Sequence, residues 1–127
     1  MNSRGRVLIA EDQALIAALI EATLDEEGYL VTTVHSGADA IAALGGSAPP
    51  FDVLVTDIRM EPGPDGWTVA TAAREARPEI AVVYMTGDSM AAWRARGVAG
   101  SVLLAKPFVP EQVLAAIAGL LEGRADP

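Results

Sequence analysis

A chain of 127 residues, 51% hydrophobic and 20% charged, has the composition of one globular domain rather than of a disordered segment. Its net charge of −8 argues against nucleic-acid binding by the domain, because phosphate contacts need clustered Lys and Arg. The absence of cysteine excludes disulfides and thiolate chemistry and fits a reducing cytoplasm.

Val7-Leu8-Ile9-Ala10 reads as a first buried strand, closed by Glu11-Asp12. That run is too short for a signal peptide or a membrane span, so a cytoplasmic protein without membrane contact is expected. From Gln13 to Glu27, Ile16, Leu19, Ile20, Thr23 and Leu24 recur at helical spacing, and Gly28 supplies the stop. Tyr29 to Val34 is β-branched and forms a second strand. Ser36-Gly37-Ala38-Asp39 fits a capping box before a short helix, which Gly45-Gly46 ends. Pro49-Pro50 keeps the approach to a third strand extended.

That third strand, Val53-Leu54-Val55-Thr56-Asp57, is apolar until it stops on a carboxylate. A buried strand tolerates such an ending only where the Asp reaches solvent or a partner. After the loop Ile58 to Pro64, Asp65 is the expected N-cap of a helix from Gly66 to about Ala76, broken by Pro78. Ile80 to Met85 is a fourth strand ending at Thr86-Gly87. Asp88 or Ser89 could cap a short helix to Arg96, with Gly97 as terminator. Val102 to Ala105 is the fifth strand, followed by Lys106-Pro107. A last helix starts near Pro110 and buries Val113, Leu114, Ile117, Leu120 and Leu121. The tail from Gly123 to Pro127 reads as a frayed end.

Buried strands alternating with helices imply an α/β fold, a doubly wound five-stranded parallel sheet of order 2-1-3-4-5. A single domain is expected over 1–127, with its core at about 6–122. In that order Glu11-Asp12, Asp57, Thr86 and Lys106 stand on four strand ends along one rim, while His35 is expected far from it. Three carboxylates together repel one another, and a hard divalent cation resolves the conflict. Asp12 and Asp57 could bind Mg²⁺ directly, Glu11 through a water, and Arg59 through its backbone carbonyl. Lys106 is the only lysine of the chain and would meet a phosphate as a compact point charge. Thr86 adds a hydroxyl. A nucleophilic carboxylate, a metal, an ammonium and a hydroxyl together describe phosphoryl transfer to Asp57.

Each residue has a plainer reading: Glu11-Asp12 as a solvated helix N-terminus, Asp57 as a strand end, Thr86-Gly87 and Lys106-Pro107 as turns. Their joint placement is what points to chemistry. Trp93 is either an exposed interface anchor or packed over Val98 or Leu103.

The set Glu11-Asp12, Thr56-Asp57-Ile58-Arg59-Met60, Asp65-Gly66, Met85-Thr86-Gly87 and Lys106-Pro107-Phe108 resembles the receiver domain of two-component response regulators over nearly the whole chain. The resemblance implies a flavodoxin-like (βα)5 receiver of the stand-alone type. Asp57 is then the phosphoacceptor, Glu11 and Asp12 hold Mg²⁺ (or Mn²⁺), Thr86 and Lys106 contact the phosphoryl group, and Lys106-Pro107 is cis. It also implies a signalling switch rather than an enzyme, one that assists only its own phosphorylation and dephosphorylation. The expected partners are a histidine kinase or histidine phosphotransfer protein and a downstream protein, and a homodimer is allowed.

Three departures stand out. Leu103 replaces the aromatic residue often found three positions before the lysine. The loop Met60 to Gly66 is one residue longer than the common pattern, and the stretch from Thr86 to Lys106 is slightly short. Two other functions compete. A degenerate receiver would bind partners without phosphorylation. A small aspartate-based phosphohydrolase would place a second Asp where Arg59 stands. Flavin binding is disfavoured, since no Ser/Thr/Gly-rich loop follows the first strand.

Overall fold

The computed structural model describes residues 4–46, 49–87 and 90–125. Among these, strands and helices alternate as β1 (Arg6–Ala10), α1 (Ala14–Glu26), β2 (Leu30–Val34), α2 (Gly37–Leu44), β3 (Val53–Asp57), α3 (Gly66–Ala76), β4 (Ala81–Thr86), α4 (Met90–Arg96), β5 (Val102–Ala105) and α5 (Pro110–Ala125). All strand pairs are parallel and the order is β2-β1-β3-β4-β5, as the alternation of buried strands and helices implies. Ala10 lies beside both Val34 and Thr56, and Asp57 lies beside Met85, so the strands end together along one rim.

Side chains alternate across the sheet. Leu8, Leu54, Val82 and Tyr84 face a core that includes Trp67, Val69 and Ala70 of α3 and Ala40 of α2. Val7, Ile9, Val55, Val83 and Met85 face the other way, against Ile20 and Leu24 of α1 and Val113 and Ile117 of α5. Strands β3 and β4 are buried along their whole length. Each fully buried Val, Leu or Ile contributes roughly 1.5–3 kcal/mol relative to exposure. The residue at the end of β3 therefore stands on the most tightly held part of the molecule.

Local chemistry sets the helix boundaries. Ser36 Oγ accepts from the Asp39 amide at 3.1 Å and starts α2. Asp65 Oδ1 accepts from the Thr68 amide at 3.0 Å and starts α3. After α1, Gly28 takes a φ of +93°, open to glycine at little cost. At the opposite rim Arg77 donates to the Phe51 carbonyl and to Asp52 Oδ1, both at 2.9 Å. Asp52 Oδ2 also accepts from the Arg6 amide at 2.8 Å, which ties the amino ends of β1 and β3.

One expectation needs revision here. The tail does not fray at Gly123, because α5 continues to Ala125. Extending an existing helix costs far less than nucleating one, so a single glycine does not stop it. The expected caps Asp88 and Ser89 lie outside the described residues, as do Asp126 and Pro127. The fourth helix is short, as the spacing suggested, at 7 residues. No helix among the described residues is long and apolar enough to cross a membrane.

Candidate functional site

Asp57 closes β3 at the centre of the rim and is only 6% exposed. Its backbone is clamped on both sides. The Ile58 amide donates to the Met85 carbonyl at 3.1 Å, and Thr56 Oγ1 donates to the Asp57 carbonyl at 2.9 Å. Gly66, at the start of α3, packs against the same peptide. A Cβ there would lie 2.3 Å from the Asp57 oxygen and 2.8 Å from Ile58 Cα, so only glycine fits without displacement.

Glu11 follows β1 and is fully buried. Its Oε2 accepts from the Gln13 amide at 3.0 Å, which satisfies one of the free amides at the start of α1. Gln13, the N-cap residue, makes no side-chain cap of its own. Glu11 is thus a helix-capping acid, but a buried one rather than the solvated residue of the plainer reading. Its Oε1 is buried without a hydrogen-bond partner among the described residues, although the Lys106 ammonium stands 3.5 Å away. Burial pushes the Glu11 carboxyl up to about 7. The nearby Asp57 charge and a bond with Asp12 add to the rise, against the Gln13 amide and Lys106, which lower it. Asp12 is exposed at the mouth of the site.

Lys106 arrives from β5, with its amide donating to the Thr86 carbonyl at 2.7 Å. Its Nζ donates to Asp57 Oδ2 at 3.1 Å. Burial alone would lower the Lys106 pKa. The Asp57 hydrogen bond and charge, and then Glu11, outweigh this and hold it above its ordinary value. The Lys106-Pro107 bond is cis, as the resemblance implies, and Glu61-Pro62 is cis as well. Thr86 is buried at the end of β4. Asp12, Asp57, Arg59, Thr86 and Lys106 line one cleft of about 270 Å³, with Gln13 and Gly87 at its edge.

The rim thus gathers Glu11, Asp12, Asp57, Arg59, Thr86 and Lys106, the residues expected on it. Carboxylate oxygens of Glu11, Asp12 and Asp57 lie within 4.8 Å of one another, a cluster able to hold a metal ion. The donor set suits a hard cation such as Mg²⁺: three carboxylates, one with a buried oxygen that accepts no hydrogen bond among the described residues.

The sequence reading misplaced His35. Its Nδ1 lies 3.0 Å from the Glu11 carbonyl oxygen, not far from the rim. The signal was present: β2 neighbours β1 in the expected order, so the residue after β2 must stand beside the residue after β1. For Trp93 the packed alternative holds. It is half-buried against the core with Val98 and Leu103, and its Nε1 donates to Ser101 Oγ at 2.9 Å. Leu103 sits beside Tyr84 in the β4–β5 register. Tyr84 is fully buried, its ring 4.9 Å from Trp67, and its hydroxyl accepts from the Val98 amide at 3.1 Å. An aromatic group therefore occupies this region from β4 instead of from position 103.

Comparison with known proteins agrees with this geometry. The family model described as the response regulator receiver domain matches residues 7–118. A response regulator receiver protein from Sinorhizobium medicae superposes with a TM-score of 0.88 at 43% identity, over 94% of this chain and 95% of that one. The chemotaxis response regulator CheY4 of Vibrio cholerae gives a TM-score of 0.78 at 27% identity, over 91% of this chain and 97% of that one. The transcriptional regulatory protein TcrA of Mycobacterium tuberculosis is 34% identical over 117 residues, 91% of this chain and 45% of the relative. The chain thus spans less than half of that relative, and 18% of the DNA-binding transcriptional regulator NtrC of Escherichia coli, to which it is 36% identical over 86 residues. With its sheet order, its rim and these matches, the chain belongs to the response regulator receiver domain family.

Proposed function

We propose that this receiver domain is a phosphoacceptor switch, taking a phosphoryl group on Asp57 from a phosphohistidine donor in a Mg²⁺- or Mn²⁺-dependent reaction. One observation carries the reading: the sole lysine of the chain places Nζ 3.1 Å from Asp57 Oδ2 and 3.5 Å from Oε1 of the buried Glu11 carboxylate. An Asp57 oxygen attacks phosphorus, the P–N bond of the donor breaks, and the imidazole leaves with its electron pair. The product is an acyl phosphate, labile to water, so the switch resets. Lys106 stays charged and meets the phosphoryl oxygens, and the Thr86 hydroxyl donates to one of them. Glu11, Asp12, Asp57 and the Arg59 carbonyl would hold the metal. When bound, that ion supplies positive charge where the transferring group is most negative.

The donor is a histidine kinase or histidine phosphotransfer protein. Its docking face is assigned to the apolar groove of about 430 Å³ lined by Ile16, Leu19, Ile20, Pro107 and Phe108. Lys106 lines both this groove and the cleft, so a partner seated there delivers its imidazole to Asp57. A downstream protein reads the phosphorylated state, and the domain acts on no substrate but its own acyl phosphate. The absence of nucleic-acid contact is kept for the domain itself, on its net charge of −8. Aspartate-based phosphohydrolases of the haloacid dehalogenase type usually place a second Asp, as general acid, two residues beyond the nucleophile, where this chain has Arg59, which argues against that reading.

Intact mass after incubation with acetyl phosphate tests the reading. A single phosphoryl adduct that requires Mg²⁺ and is lost in Asp57→Asn is expected. A folded wild type that takes no adduct from acetyl phosphate or from a phosphohistidine protein would leave the binding-module alternative, which retention of all five site residues argues against and Leu103 alone keeps open.

A further inference from the structure

We infer that the turn His35–Gly37 between β2 and α2 is a positioning element for the metal-binding end of the site. The inference rests on the Mg²⁺ reading above. Ladder pairing of β1 ends at Ala10, opposite Val34 of β2 and Thr56 of β3. Two further bonds extend that hold by one residue. The Glu11 amide donates to the Val34 carbonyl at 3.1 Å, and the Glu11 carbonyl meets His35 Nδ1 at 3.0 Å. A carbonyl can only accept, so Nδ1 carries the proton. The imidazole takes the place of the next strand's amide and fixes the peptide that joins Glu11 to Asp12.

The same turn braces the other half of the site. Gly37 is buried and its backbone conformation is open to any residue, so what it supplies is space. A Cβ there would lie 2.1 Å from the Pro64 carbonyl oxygen and 2.9 Å from its carbon. The long loop 58–65 therefore rests on the turn by backbone contact, and this loop carries the Arg59 carbonyl. Its far end is locked by the Gly66 amide, which donates to the Ile58 carbonyl at 2.8 Å. Ser36, between the two contact residues, caps α2 and fixes the turn on its helix. Three consecutive residues thus hold the Glu11–Asp12 peptide on one side and the 58–65 loop on the other. His35 is exposed and contributes nothing to the core, so its one hydrogen bond is the part that can be removed cleanly.

Calorimetric titration with Mg²⁺ tests this, alongside urea unfolding in EDTA. Asn places its side-chain N–H at the same distance from the backbone as His Nδ1, whereas Leu fills the space without a donor. His35→Leu is expected to weaken Mg²⁺ binding roughly two- to tenfold, while the metal-free urea midpoint falls by no more than the loss of one part-buried hydrogen bond. His35→Asn is expected to restore the wild-type affinity. Gly37→Ala, where circular dichroism shows it folded, should weaken binding as well, because Pro64 must move. Equal Mg²⁺ affinity in wild type and His35→Leu, or equal weakening in the Leu and Asn variants, overturns the inference while leaving the metal site standing. A wild type that binds no Mg²⁺ overturns the metal reading and this inference with it.

Discussion

Glu11→Gln isolates the cost of keeping a carboxylate in the floor of the site. In the folded chain burial pushes the Glu11 carboxyl up to about 7 from an ordinary value of 4.5. Between those two values the native state binds more protons than the unfolded chain, so stability falls as pH rises through the window. At pH 5 the folded carboxyl is protonated and the penalty is largely absent; by pH 8 it is fully present. With each pKa unit equivalent to about 1.4 kcal/mol, the loss between pH 5 and pH 8 is about 2 to 3 kcal/mol. A glutamine does not titrate, and any fixed offset from placing its amide beside Lys106 is the same at both pH values. Urea unfolding of wild type and Glu11→Gln at pH 5 and pH 8 in EDTA therefore gives a double difference in which that offset cancels. The expected result is a wild type that loses about 2 to 3 kcal/mol relative to the variant from pH 5 to pH 8. Saturating Mg²⁺ should return most of this to the wild type and little to the variant. A double difference near zero, or one of opposite sign, would refute the view that burial makes the charged form of Glu11 costly in the metal-free site.

Lys106→Arg keeps the charge but replaces a compact ammonium with a planar fork, and on the phosphoacceptor reading acetyl phosphate labelling should slow at least about tenfold; wild-type rates would show that charge alone suffices. Gly66→Ala drives a methyl group into the Asp57 peptide, and overpacking of this kind costs typically about 1–3 kcal/mol, to be read from the urea midpoint. Labelling of Asp57 in that variant should fall even at temperatures where it remains folded. Tyr84→Phe leaves the Val98 amide without its acceptor and should cost about 1–3 kcal/mol of stability, with α4 losing hydrogen-exchange protection first; a stability equal to wild type would show that water replaces the hydroxyl without loss.

Much of this fold was legible because its signals are local. Short apolar runs, Ser36 and Asp65 as caps, Gly28 and Gly45 as stops and Pro110 as a starter mark the elements within a residue or two. The sheet order follows from that alternation through the handedness of crossovers. The site was legible for the same reason: polar residues closing four apolar strands must share the rim where parallel strands end. Tertiary structure decided what depends on neighbours distant in sequence. Burial of Glu11, the approach of Lys106 to its carboxylate, and the docking of His35 on the Glu11 carbonyl come from chain segments that no periodicity connects. Gly37 read as part of a helix cap, yet its lack of a side chain is demanded by Pro64, 27 residues later. Sequence determined which chemical groups reach the rim, because alternation and order are carried by backbone periodicity. Which of those groups are desolvated, paired or braced was decided only by packing, because burial and hydrogen bonding are properties of what lies opposite.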